Sequence, residues 1–173
     1  LPVWSDALVV PDGEVGEICV KGPVVTRTYH RRPEANAAAK IADGDDAWHR
    51  MGDLGYRDGQ GRLWFCGRKA ERVETKAGPL YTDRVEGMAN ANPLVTRSAL
   101  VGVGPRGDEK PVLVLEGPEQ PGLASRLRKT LPVTDVLYFT RFPVDVRHNA
   151  KIQRHVLKAW AERRLASSPE GSE

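Results

Sequence analysis

The stretch from Trp48 to Arg72, WHRMGDLGYRDGQGRLWFCGRKAER, constrains the fold of this chain more than any other. At its centre Asp58-Gly59-Gln60-Gly61 is a turn sequence. Glycine reaches backbone angles other residues avoid, and an aspartate side chain accepts hydrogen bonds from the backbone that follows it. Tyr56 precedes the turn and Leu63-Trp64-Phe65 follow it. Apolar runs on both sides of such a turn predict a β-hairpin. A fixed acid, Asp53, stands just before the first predicted strand, and a fixed base, Arg68, just after the second. Antiparallel strands bring their outer ends together, so the hairpin sets Asp53 beside Arg68. Two uses fit such a pair. One is a structural ion pair that closes the hairpin. The other is an acceptor-only carboxylate and a five-donor guanidinium presented to a ligand with vicinal hydroxyls, such as a ribose.

Composition narrows the classes. A chain of 173 residues can bury a sizeable core in one or two small domains. The 26 basic and 23 acidic residues leave a net charge of +3, too small an excess for a nucleic-acid footprint. Cys19 and Cys66 both sit in apolar, strand-like runs, which predicts reduced, buried thiols of a cytoplasmic protein and neither a disulfide nor a metal site. No apolar run approaches the ~20 residues of a membrane span. LPVWSDALVV has neither a leading Met nor a charged-then-apolar signal pattern, so a fragment of a longer protein is expected.

Along the chain, Leu8-Val10 and Ile18-Val20 flank Pro11-Asp12-Gly13 and predict a first hairpin. Pro33 to Ile41 predicts a short helix with Pro in its first turn, ended by the acidic stretch Asp43 to Asp46. From residue 71 the pattern changes to alternating strands (Arg72-Thr75, Ser98-Val103, Pro111-Glu116, Val136-Thr140) and helices (Asp83-Ala91, Leu123-Leu131, Lys151-Ala166). The expected fold class is therefore mixed α+β. Residues 1–66 form a hairpin-rich part, 67–70 a hinge, 71–166 a compact α/β domain and 167–173 a disordered tail. Asp83 with Glu86 reads as a capping box, with Thr82 as an alternative cap. In the last helix Ile152, Val156, Trp160 and Ala161 share an apolar face, and Arg154, His155, Lys158, Arg163 and Arg164 read as a solvated basic one.

With these pieces in place, HRMGD-LGY-x-D-x-x-GRL-WFCGR resembles the acyl-adenylate-forming synthetases, the AMP-binding superfamily of acyl-CoA synthetases, luciferases and peptide-synthetase adenylation domains. The resemblance implies that Asp53 holds both ribose hydroxyls of ATP and that Arg68 supports the same ribose. It places the hinge residue at Ala70, where the family often has Asp or Lys. FPVDVRHNAKIQR resembles the family's closing loop, which implies that Lys151 meets the α-phosphate during adenylation. Arg147 and His148 read either as phosphate contacts or as residues that shape the loop. The opposing interpretation of Lys151 is one more surface lysine at a helix start. By the same resemblance residues 1–66 end a large domain with a β-barrel-like subdomain, and 71–166 form the small mobile C-terminal domain. The phosphate loop and acyl pocket belong to a part that precedes this chain, and Mg²⁺ is expected to bind mainly there. Alone, the chain is expected to be inactive.

In ERVETKAGPLYTDRVE, Gly78 is followed by Pro79, and Arg84 stands where the family has a Glu. Both departures fall in the loop that lines the pantetheine channel of acyl-CoA synthetases. FCGRKAERVET, GPLYT and FPVDVRHNAKI resemble the bacterial olefin-pathway β-lactone synthetases, which implies ATP-dependent closure of a long-chain β-hydroxy acid to a β-lactone. The partners implied are ATP and a fatty acid or β-hydroxy fatty acid, with assembly among other lipid-pathway enzymes and without nucleic acid or a transmembrane segment. A long-chain acyl-CoA synthetase is the neighbouring alternative. A non-catalytic basic binding module is the remote one, and no aromatic residues interleave its basic helix as base stacking would need.

Overall fold

The computed structural model describes residues 2–146 and 151–167. Arg147 and His148, and the predicted tail beyond Ser167, lie outside the described residues. The chain divides into two compact units, Leu1–Ala70 and Glu71–Glu173.

In the first unit one long strand, β3 (Asp46–Arg57), carries all the others. On one edge it pairs antiparallel with β1 (Gly16–Val20). On the other it pairs with β2 (Lys40–Asp43) near its start and with β4 (Leu63–Arg68) near its end. Among the described residues this sheet has four strands and no closed barrel. The helix α1 (Pro33–Ala39) has Pro in its first turn, as expected, but ends two residues early because Lys40 and Ile41 open β2. Trp4 stacks on Trp48, with ring centroids 4.4 Å apart.

The first predicted hairpin is not there. Asp6–Leu8 forms a 3₁₀ turn, and β1 pairs with β3 instead of folding back on Leu8-Val10. The reason lies in the turn residues, which the end of β3 takes up. Gly13 N–H donates to the Arg57 carbonyl at 2.8 Å, and Arg57 Nε donates to Asp12 Oδ1 at 2.7 Å.

The second unit is a three-stranded sheet with helices on both faces. Strand β7 (Ser98–Val103) is antiparallel to β8 (Lys110–Glu116), and β8 is parallel to β9 (Asp135–Phe139) through helix α3 (Leu123–Thr130). Alternate residues serve opposite faces. Leu100, Leu113 and Leu115 pack with Leu123 and Leu127 of α3 and with Val85 and Ala89 of α2 (Thr82–Asn90). Ala99, Val101, Val112 and Val114 pack with Leu157 and Ala161 of α4 (Arg154–Ala166). Covering on both faces explains why β8 is a continuous apolar run. A small hairpin, β5 (Val73–Thr75) with β6 (Gly78–Leu80), precedes α2.

Three expectations about these elements change. The last helix starts at Arg154, because Lys151–Ile152 (β11) forms a short antiparallel pair with Val144–Asp145 (β10). Leu157, not Val156, is the buried centre of its apolar face. Neither Thr82 nor Asp83 caps α2: Tyr81 is the cap residue and makes no side-chain hydrogen bond. The Glu86 side chain turns to β7 instead, where Leu100 N–H donates to Oε1 at 2.7 Å. No helix among the described residues is long and apolar enough to cross a membrane.

Candidate active site

The β3–β4 hairpin forms as its turn residues dictate. Asp58 Oδ1 accepts from the backbone N–H of Gln60 and of Arg62, both at 3.0 Å. Its Oδ2 accepts from Trp64 Nε1 at 2.8 Å and Arg62 Nε at 2.7 Å. The Trp64 bond, with help from Arg62 and the backbone, outweighs desolvation and holds the Asp58 carboxyl down at about 2. At Gly55 the neighbouring chain leaves no room for a side chain: a Cβ there would stand 2.7 Å from the Trp64 carbonyl oxygen.

This turn sets the register, and the register puts Asp53 directly opposite Arg68. Both lie inside their strands, not just beyond them. One residue of β4, Cys66, is bulged out of the pairing between Leu54 and Gly55 and is buried. Arg68 Nη1 is 2.9 Å from Asp53 Oδ1, yet its N–H points to the Met51 carbonyl at 3.3 Å. Asp53 Oδ1 is thus shielded from water, beside a cation, and accepts no hydrogen bond.

Ala70 is the middle residue of a 3₁₀ turn, Lys69–Glu71. The residue before it is braced within the first unit. Lys69 Nζ donates to Glu17 Oε2 at 2.7 Å, and Arg50 donates to the same oxygen through Nη2 at 2.6 Å. Burial pushes the Glu17 carboxyl up, but these two cations outweigh it and hold it below the ordinary range. Sequence reasoning missed this trio, which joins residues far apart in the chain.

In the second unit Lys151 lies in β11, opposite Asp145, and its side chain is 55% exposed. Its Nζ is 3.2 Å from Glu71 Oε1. The other Glu71 oxygen accepts from Arg154 Nε at 2.8 Å. Arg154, read from sequence as a surface residue, is mostly shielded: Nη1 and Nη2 donate to the two Glu86 oxygens at 2.5 and 2.9 Å. Burial pushes the Glu86 carboxyl up against the lowering by Arg154; burial also works against the Arg154 charge, but the hydrogen bonds and charges of Glu86 and Glu71 together outweigh it and hold the guanidinium charged. Glu71 and Arg154 form an ion-pair network with Lys151 and Glu86 that no local pattern singled out. Among the described residues no three His, Cys, Asp or Glu side chains gather as a metal would need.

The fold matches solved enzymes. An o-succinylbenzoate CoA synthetase from Bacillus subtilis, in complex with its acyl-adenylate intermediate, superposes with a TM-score of 0.73 at 27% identity, over 91% of this chain and 33% of that one. No family model matches the chain. Together with the directly opposed Asp53 and Arg68, this likeness defines the class: the chain belongs to the acyl-adenylate-forming synthetases. Over 94% of its length it is 51% identical to an olefin β-lactone synthetase of Stenotrophomonas maltophilia, and covers 32% of that enzyme. An indoleacetate–CoA ligase of Aromatoleum aromaticum is 36% identical over 58% of the chain. The chain spans about a third of the length of the curated relatives it matches most fully.

Proposed function

We propose that this chain is the C-terminal part of an ATP-dependent synthetase that adenylates a long-chain β-hydroxy fatty acid and closes it to a β-lactone. Asp53 and Arg68 hold the ribose of ATP. The observation that carries this assignment is the register that sets Asp53 directly opposite Arg68, with Arg68 Nη1 2.9 Å from Asp53 Oδ1. The carboxylate accepts from ribose hydroxyls and the guanidinium donates to them.

Lys151 acts at the phosphate. When the carboxylate of the acid attacks the α-phosphate, negative charge builds on both partners as pyrophosphate departs. A delivered ammonium stabilises that charge more than the ground state, an effect typically worth ~10²–10³ in rate. Residues 67–70 serve as the hinge that brings Lys151 to the nucleotide and withdraws it. Mg²⁺, held mainly outside this chain, neutralises phosphate charge when bound.

The second step needs no further substrate. The β-hydroxyl of the acyl-adenylate attacks the acyl carbon, loses its proton and expels AMP, closing a four-membered ring. Nucleophile and electrophile share one molecule, so positioning replaces a bimolecular encounter. Ring strain opposes closure, and the phosphate leaving group offsets it. Higher identity to the β-lactone synthetase than to the CoA ligase supports lactone over thioester. Gly78-Pro79 and Arg84, departures in the pantetheine loop, point the same way. The test gives the full-length enzyme ATP and a long-chain β-hydroxy acid, with and without coenzyme A. AMP and a β-lactone are expected without the thiol. A product that requires coenzyme A and is a thioester overturns the lactone assignment.

A further inference from the structure

The Glu71 carboxylate serves two cations from one short segment. Its Oε2 takes Arg154 Nε at 2.8 Å, and its Oε1 stands 3.2 Å from Lys151 Nζ. The two cations differ in freedom. Arg154 is 17% exposed, pinned bidentately by Glu86 and donating through Nη1 to the Leu100 carbonyl at 3.3 Å. Glu86 is itself fixed by the Leu100 N–H of the central sheet. Lys151 is 55% exposed and carries four rotatable methylenes. Glu71 is therefore anchored through its rigid partner and shares its second oxygen with a movable one.

We propose that Glu71 is a positioning residue for Lys151: it parks the ammonium at the start of the second unit, and Lys151 reaches the nucleotide by exchanging Glu71 Oε1 for phosphate oxygens. This rests on the assignment of Lys151 to adenylation. Each carboxylate keeps a cationic partner in both positions. Two carboxylates face two cations at rest, and Glu71 keeps Arg154 when Lys151 leaves, so no bare buried carboxylate remains. A half-exposed pair is weak enough to open readily. Glu71 is the residue after Ala70, so the parking anion belongs to the segment at which the hinge is placed.

The test uses the full-length synthetase as wild type, Glu71→Gln, Glu71→Asp and Lys151→Ala. Lys151 acetylation by trace acetic anhydride is followed by peptide mass spectrometry, with Lys158, paired to Glu109 at 2.8 Å, as internal reference. Glu71→Gln should speed Lys151 labelling on the order of two- to fivefold, the range of an exposed ion pair, and leave Lys158 unchanged. Glu71→Asp should stay near wild type. Raising ionic strength should speed wild-type labelling, because salt screens exposed pairs, and have little effect in Glu71→Gln. Equal Lys151 labelling in wild type and Glu71→Gln, at low and high salt, overturns the proposal. Single-turnover adenylation tests the underlying assignment separately: a Lys151→Ala enzyme that adenylates at the wild-type rate overturns the role of Lys151 and leaves the labelling result standing.

Discussion

At the scale of single residues, the candidate site separates binding from chemistry. Asp53 offers its carboxylate in the ground state, so Asp53→Ala in the full-length enzyme should raise the dissociation constant for ATP. Lys151 meets charge that develops only during reaction. Lys151→Ala should slow adenylation by about two orders of magnitude with ATP affinity little changed, as single-turnover kinetics beside nucleotide titration would resolve. Asp58 makes a different prediction, about pH. Its folded carboxyl titrates at about 2, below the ordinary 3.8. A depressed folded value means that its stabilisation of the turn is fully present above about pH 4 and fades as pH falls towards 2. Indole Nε1 and turn amide resonances followed by NMR should shift through that window, and Asp58→Asn should remove the transition.

At the scale of elements, the three-stranded sheet of the second unit is buried on both faces, so truncation on either face leaves a cavity. Leu113 is fully buried between β7, α2 and α3. Leu113→Ala should lower stability by about 2–5 kcal/mol, read as a fall in the urea midpoint with an unchanged slope. Arg154→Ala should be at least as harmful for another reason. It leaves Glu86 buried without its cation, and breaking one side of a buried pair typically costs about 3–5 kcal/mol. The buried strands β7 and β8 were legible because alternation and continuous apolar character are local patterns. The start of α4 was not, since Lys151-Ile152 satisfies both a helical pattern and a two-residue strand, and the partner strand β10 decides.

At the scale of the whole chain, the change of pattern near residue 70 motivates the placement of a hinge at 67–70. Gly67 and Arg68 are the last two residues of β4, and the 3₁₀ turn Lys69–Glu71 follows them. A polypeptide of residues 71–167 retains its sheet, both helical layers and the Arg154–Glu86 pair. Expressed alone, it should unfold in one cooperative transition, with near-ultraviolet and far-ultraviolet signals changing together. Two non-coincident transitions, or none, would count against an independent unit.

The sequence by itself determined what depends on neighbours along the chain. Asp58 and the glycines set the turn, the turn set the register, and the register brought Asp53 opposite Arg68. Alternation likewise chose the two faces of β7 and β8. Only the tertiary structure decided the fate of charges. Arg154 reads as one of five basic residues on a solvated helix face, yet Glu71 and Glu86, 83 and 68 residues away, draw it into the interior. The same holds for Glu86, which local rules assign to a helix cap and the fold assigns to β7 and Arg154. A side chain's propensity is a property of its own backbone, whereas its desolvation and its counter-charge come from elements that meet only after folding.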